Sequence, residues 1–145
     1  MSQDEEMLRK LILELQILER TGNSLQTRIG YINAAITEIQ IANETLNGLK
    51  NEQIGTQLLI PIGGGSFIQA KVDNTNKIIV GIGANVSTEK DVTSAQEEIA
   101  TRILELEKAR TAVQKQLDDV VAQINRTQNQ IRGMTRQQSE GTKDV

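Results

Sequence analysis

LRKLILELQILERTGNSLQTRIGYINAAITEIQIANETL, residues 8–46, carries apolar residues at alternating spacings of three and four: Leu8, Leu11, Leu15, Leu18, Leu25, Ile29, Ile32, Ile36, Ile39 and Leu46. Gly22, Asn43 and Lys50 occupy the same register. A second seam runs through Val92, Ile99, Ile103, Leu106, Val113, Leu117, Val120, Ile124, Ile131 and Met134, with Gln96, Arg110 and Thr127 as polar members. Each seam spans 42 positions, from 8 to 50 and from 92 to 134. An antiparallel fold pairs Leu8 with Met134 and Lys50 with Val92, so facing numbers sum to 142. A 3.5-residue repeat kept this long leaves one narrow apolar stripe per helix, which is the requirement of a coiled coil. The reading is a long two-helix hairpin, each arm reaching roughly 70 Å at 1.5 Å per residue.

Composition agrees. Aromatic residues are 1% of the 145 residues, too few to anchor a thick core. A thin Leu/Ile seam explains the shortage. Cysteine and histidine are both missing, which removes thiolate metal sites, disulfides and the commonest acid–base group. Net charge is −3, and residues 1–50, 51–87 and 88–145 contribute −2, 0 and −1. No sequence segment collects the positive charge that a phosphate backbone demands, so nucleic acid is not expected. The acidic start MSQDEEM lacks an apolar signal core and no run of eighteen apolar residues exists, which points to a soluble, cytoplasmic chain.

Residues 51–87 differ in kind, with 4 charged residues of 37 against 31 of 108 elsewhere. Short β-prone runs at 57–62, 66–72 and 77–82, and a stub at 86–88, lie between glycine or Asn/Asp clusters. Gly63-Gly64-Gly65 suits a three-residue hairpin loop and Asp73-Asn74-Thr75-Asn76 a four-residue one. Pro61 cannot donate to a ladder and so marks an edge or a bulge. The fold class is therefore α+β: an antiparallel coiled-coil hairpin with two β-hairpins between its helices. Leu58, Leu59, Ile60, Ile62, Phe67, Ile68, Val72, Ile78, Ile79, Val80 and Ile82 are too many apolar residues for one side of so small a sheet. A coiled coil meeting the hairpins only at its end covers little of them. Open strand edges add unpaired backbone groups, so these residues are expected to hold an oligomer together.

The expected layout is an N-terminal helix over 1–54, the β platform over 55–88, a C-terminal helix over 89–135 and a disordered tail over 136–145. Ser2 with Glu5 and Ser94 with Glu97 are capping-box candidates, and Gly55 is a stop signal. Candidate chemistry is weak. Pro61–Ser66 lacks the lysine and following helix of a phosphate loop. Gly81-Ile82-Gly83 lacks the third glycine of a dinucleotide fingerprint. Glu97-Glu98 and Asp118-Asp119 are sequence neighbours on helices, pointing in different directions. No enzyme, metal site or cofactor is implied. Lys50 and Arg110 in the seams read as side chains that snorkel outward, while Asn43 suits register specification and plain tolerance equally.

One asymmetry stands out against that background. With Leu8 at heptad position a, Met7 falls at g, Ile12 at e, Leu13 at f and Ile17 at c. Leu13 and Ile17 thus face away from the partner helix near the free end of the hairpin. Apolar side chains exposed together at one tip mark a contact surface, against the plainer reading of tolerated surface leucines. With the seam residues beside them, the candidate contact set is Met7, Leu8, Leu11, Ile12, Leu13, Ile17, Ile131 and Met134.

Helix, two β-hairpins and helix, with Leu59-Ile60-Pro61-Ile62-Gly63-Gly64-Gly65-Ser66-Phe67-Ile68 and the later Ile79-Val80-Gly81-Ile82-Gly83-Ala84, resemble the α class of the prefoldin family. The short termini resemble the archaeal form, and the second hairpin distinguishes the α class from the one-hairpin β class. The resemblance covers nearly the whole chain. It implies an ATP-independent holdase in which two α-class and four β-class subunits join their hairpins into a double β-barrel. Six coiled coils hang from that barrel, hold unfolded proteins with their inner faces and tips, and pass them to a group II chaperonin. The family motif matches at Leu59–Ile62 and Phe67–Ile68, in the barrel region. The client-binding assignment rests on the exposure argument. A filament-forming variant of the α class, or a coiled-coil spacer without clients, is the alternative.

Overall fold

The computed structural model describes residues 2–143. Its elements run α1 (Gln3–Lys50), β1 (Gln57–Gly63), β2 (Ser66–Lys71), β3 (Lys77–Gly83), β4 (Val86–Asp91) and α2 (Val92–Lys143). The chain divides into two compact units, residues 1–34 with 108–145, and residues 35–107.

In the first unit, α1 and α2 pack along the seams that the heptads define. Leu25, Val113 and Leu117 are buried together, with Ile29, Ile32 and Val120 packed against them. Leu25 and Leu117 sum to 142, the expected register. Gly22 confirms it, because a Cβ built there would lie 3.7 Å from the Val120 side chain. Arg110 donates from Nη1 to Asn33 Oδ1 at 3.0 Å, so it finds a neutral acceptor on the opposite helix. Thr127 is 4% exposed and satisfies its hydroxyl on the Gln123 carbonyl, 2.9 Å away. Ser2 caps α1, accepting the Glu5 amide at 3.2 Å.

The expected disordered tail over 136–145 is corrected as far as residue 143, which is still helical. Arg136, Gln137, Gln138 and Glu140 are good helix formers with no proline to stop them. An apolar repeat is not needed to continue a helix that is already nucleated. Residues 144 and 145 lie outside the described residues.

The second unit holds the last turns of α1, both hairpins and the first turns of α2. Ile36, Leu46, Val72, Val92 and Ala95 are buried in it. The α1 helix ends at Lys50 rather than 54. The Glu52 amide tightens back onto the Leu49 carbonyl at 3.0 Å, and Gly55 takes a φ of 90°. The Gly55 amide then donates to Val72 O at 2.7 Å, and the Val72 amide to Thr56 O at 2.9 Å, closing the base of the first hairpin.

Two separate two-stranded antiparallel sheets follow, β1 with β2 and β3 with β4. They share one register at an offset of twenty residues. Gln57 pairs with Lys71 and Gly63 with Ser66; Lys77 pairs with Asp91 and Gly83 with Val86. Each register shifts by one residue, at Ile62 and at Ile82, in the manner of a β-bulge. The first turn is therefore Gly64-Gly65 (φ 59° and 73°) and not three glycines, with Gly63 drawn into the ladder. Residues 73–76 do not form a hairpin loop, since β2 and β3 do not pair. They connect the hairpins, with an Asx-type bond from the Asn76 amide to Asn74 Oδ1 at 2.8 Å.

The expected stub at 86–88 is a full strand to Asp91, and α2 starts at Val92. Asp91 caps it, its Oδ1 accepting the Ser94 amide at 2.6 Å. That displaces the Ser94–Glu97 box, because Ser94 is already in the first turn. Hydrogen bonding from the Ser94 backbone first, and from its side chain second, lowers the Asp91 pKa.

Candidate functional site

Two exposed apolar surfaces carry the functional reading, one in each unit. In the first unit they belong to the opening turns of α1. Met7 is 52% exposed, Ile12 40%, Leu13 59% and Ile17 64%. Leu8, Ile131 and Met134 are half-buried, and Leu11 is buried in the seam. The candidate set thus separates into four residues open to solvent and four that are partly or wholly buried. Met7, Leu11, Gln130, Gly133, Met134 and Gln137 line a shallow groove of about 420 Å³ there. Two methionines beside a glycine make it adaptable, since an unbranched thioether changes shape at little cost.

In the second unit the strands alternate as a pleated ribbon must. The register places Leu58, Ile60, Ile68 and Ala70 on one face of the first hairpin and Leu59, Pro61, Phe67 and Gln69 on the other. Leu59, Ile62, Phe67 and Ile68 are all more than half exposed, so both faces of this hairpin are largely bare. On the second hairpin Ile79 is exposed and Ile78 and Val80 are half-buried. A groove of about 380 Å³ runs beside them, lined by Ile39, Leu46, Ala95 and Ile99 from the helices. The helices cover this hairpin more than the sequence implied. Val72, expected among the assembly residues, is 7% exposed and lies in the core of its own unit.

Sequence reasoning passed over Ile54, Val86, Leu104 and Val121, which are also exposed. Ile54 lies before the first β-prone run, and Val86 opens the stub at 86–88, whose other two residues are polar. Leu104 and Val121 each adjoin a seam residue, and their off-seam heptad positions were a readable signal.

A charged cluster fastens the second hairpin. Lys90 on β4 pairs with Glu98, which also accepts from Arg102 at 2.8 Å. Arg102 reaches the Gly81 carbonyl at 3.3 Å. The hydrogen bond from Lys90 is the main cause that holds the Glu98 carboxyl below its ordinary range; desolvation opposes it, and the Lys90 and Arg102 charges add to it. This cluster binds strand to helix and shows no exposed reactive group. Among the described residues no helix is long and apolar enough to cross a membrane, and no acidic group is arranged to hold a metal ion.

Paired helices joined through two β-hairpins with bare apolar strands define a class of oligomeric coiled-coil subunit. The prefoldin subunit family model matches residues 18–137. A curated prefoldin subunit alpha from Methanopyrus kandleri is 35% identical over 113 residues, covering 78% of this chain and 72% of that protein. The prefoldin subunit alpha of Archaeoglobus fulgidus is 31% identical over 140 residues, covering 97% and 100%. A filamentous PFD from Methanocaldococcus jannaschii, solved by cryo-EM, superposes with a TM-score of 0.71 at 23% identity, covering 84% of this chain and 98% of that one. The chain belongs to the prefoldin family of chaperone subunits and is of the archaeal α type.

Proposed function

We propose that the chain acts as the α-class subunit of an ATP-independent holdase, capturing unfolded proteins and delivering them to a group II chaperonin. The observation that carries this reading is the cluster of Met7, Ile12, Leu13 and Ile17, bare at the end of a solvated helix pair. A subunit that only spaces or braces has no use for apolar side chains on its outward positions. Exposed Leu59, Ile62, Phe67 and Ile68 support assembly through the hairpins, and both strands of each sheet are edges open to another chain. The partners proposed are β-class subunits, two α with four β, in the cytoplasm. Absence of His and Cys from the sequence supports a non-catalytic role.

The test changes Leu13→Gln and Ile17→Gln together. Exposed helix positions have little packing to lose, so stability should move by less than about 0.5 kcal/mol per site. Suppression of aggregation of a chemically unfolded client should fall clearly at unchanged oligomeric mass. Ile41→Gln with Leu104→Gln, exposed to similar extents in the other unit, is the control and should retain activity. Full activity in the first variant, or equal damage in the second, rejects the tip. A second reading, a self-assembling filament or spacer subunit, draws on the open strand edges. The mass of the complex with and without a co-expressed one-hairpin partner separates the two.

A further inference from the structure

The two units differ in net charge. Residues 1–34 with 108–145 carry eleven basic and nine acidic residues, +2, whereas residues 35–107 carry five basic and ten acidic, −5. The basic residues of the first unit come from both ends of the chain, so no single segment displays them.

Within that unit the outward face of α1 is the sharpest case. From residue 9 to 31, heptad positions b, c and f are Arg9, Lys10, Leu13, Gln16, Ile17, Arg20, Asn23, Ser24, Thr27, Gly30 and Tyr31. No acid occurs among them; Glu6 precedes them at f, and Glu14 and Glu19 sit at g and e, beside the seam. Leu13, Ile17 and Tyr31 are 59%, 64% and 74% exposed, and Arg9, Lys10 and Arg20 are exposed as well. None of these three cations pairs with an acid among the described residues, where the ion pairs are Lys77–Glu89, Lys90–Glu98 and Arg102–Glu98.

We propose that this stripe selects apolar client segments that carry Asp or Glu over equally apolar segments that carry Lys or Arg. The inference rests on the client-binding reading of Leu13 and Ile17 and adds the chemistry of the client. Charge complementarity picks the occupant: free guanidinium and ammonium groups flanking bare leucine and isoleucine match carboxylates beside apolar side chains. The aliphatic stems of Arg9, Lys10 and Arg20 extend the apolar strip that an extended or helical segment would cover. A single-stranded nucleic acid fits less well, because Tyr31 alone offers a ring to stack on.

The experiment uses the full chain in its assembled complex and labelled peptides of one apolar pattern whose polar positions are all Glu, all Gln or all Lys. Binding is read by fluorescence anisotropy at low and physiological salt. The Glu peptide should bind best and the Lys peptide worst, with a gap of roughly fivefold to tenfold at low salt, the worth of a few exposed ion pairs. Salt should narrow it. Arg9→Gln/Lys10→Gln/Arg20→Gln, which keeps good helix formers, should equalise the three peptides while the Gln peptide is retained. Equal binding of the three peptides to the unaltered protein, or an unchanged order in the triple variant, overturns this inference and leaves the client-binding reading standing. A single-stranded oligonucleotide that displaces the Glu peptide more readily than unlabelled peptide does, or a fall in the mass of the complex on triple substitution, also overturns it, the occupant then being nucleic acid or another copy. If none of the peptides binds, both readings fall.

Discussion

The two hairpins share a backbone and differ in what they bury. Offset by twenty residues, their ladders match pair for pair, down to the bulge before each turn. The first, QLLIPIG and SFIQAK, has one charged residue, Lys71, and leaves its apolar side chains bare. The second, KIIVGIG and VSTEKD, keeps an apolar strand beside a polar one. Its Ile78 and Val80 turn toward the helices, and Lys90 joins it to Glu98 of α2. One register thus serves different ends: the first hairpin leaves both faces largely bare, while the second has Ile78 and Val80 half-buried and Ile79 and Ile82 exposed. A duplicated geometry can be put to two uses by changing one strand's side chains.

Exchanging side chains between the hairpins tests which of them holds the assembly. Phe67 and Ile68 correspond to Ser87 and Thr88. Phe67→Ser/Ile68→Thr should remove roughly 3–6 kcal/mol per subunit of apolar burial at the contact, two side chains' worth. The complex should fall apart on sedimentation while far-UV helicity persists. The reciprocal Ser87→Phe/Thr88→Ile should leave the mass unchanged. Equal effects from the two exchanges would show that the hairpins are interchangeable in assembly.

A smaller effect should separate the hairpins by pH. Glu98 is held below its ordinary pKa chiefly by its hydrogen bond from Lys90. A carboxyl whose folded pKa is depressed adds stability above its unfolded value and loses it as pH falls through the folded one. Amide exchange in β3 and β4, corrected for its intrinsic pH dependence, should therefore show protection declining as pH falls below the ordinary glutamate value of 4.5. Exchange in β1 and β2, which has no such anchor, should not follow it. Glu98→Gln should reduce the difference to what the Asp91 cap contributes, and equal pH sensitivity in both hairpins would discard the anchor.

How legible each region was follows from the same contrast. The seams were readable residue by residue, because a 3.5-residue stripe admits few alternatives, and Leu25 facing Leu117 bears the register out. The first hairpin announced itself through apolar runs around glycines. The fourth strand was hidden because Val86–Asp91 is polar on both faces and owes its form to pairing with β3 and to the Asp91 cap. The bare residues at the start of α1 were legible as off-seam heptad positions. Their cationic setting was not, since Arg9, Lys10 and Arg20 lie among acids in sequence and, from residue 9 onward, separate from them only around the helix.

The finest difference is at the turns. Both turns place both central residues at positive φ, as two-residue type I′ hairpins require: Gly64 at 59° and Gly65 at 73°, Ala84 at 50° and Asn85 at 60°. Asparagine tolerates that region; alanine does not, and its Cβ crowds the carbonyl at a cost of about 1–2 kcal/mol. Ala84→Gly relieves this crowding but adds about 0.4–1 kcal/mol of backbone entropy to the unfolded chain. The net gain should be about 0.5–1 kcal/mol for the second hairpin. Gly64→Ala should change the first hairpin by a similar amount with the opposite sign. A Cβ at Gly64 meets nothing within 4 Å, so backbone strain and unfolded-chain entropy are measured without any change in side-chain contact. Exchange protection in each hairpin reads the pair of changes. Should both substitutions move stability in the same direction, the turns are not equivalent and the twenty-residue correspondence stops at the ladders.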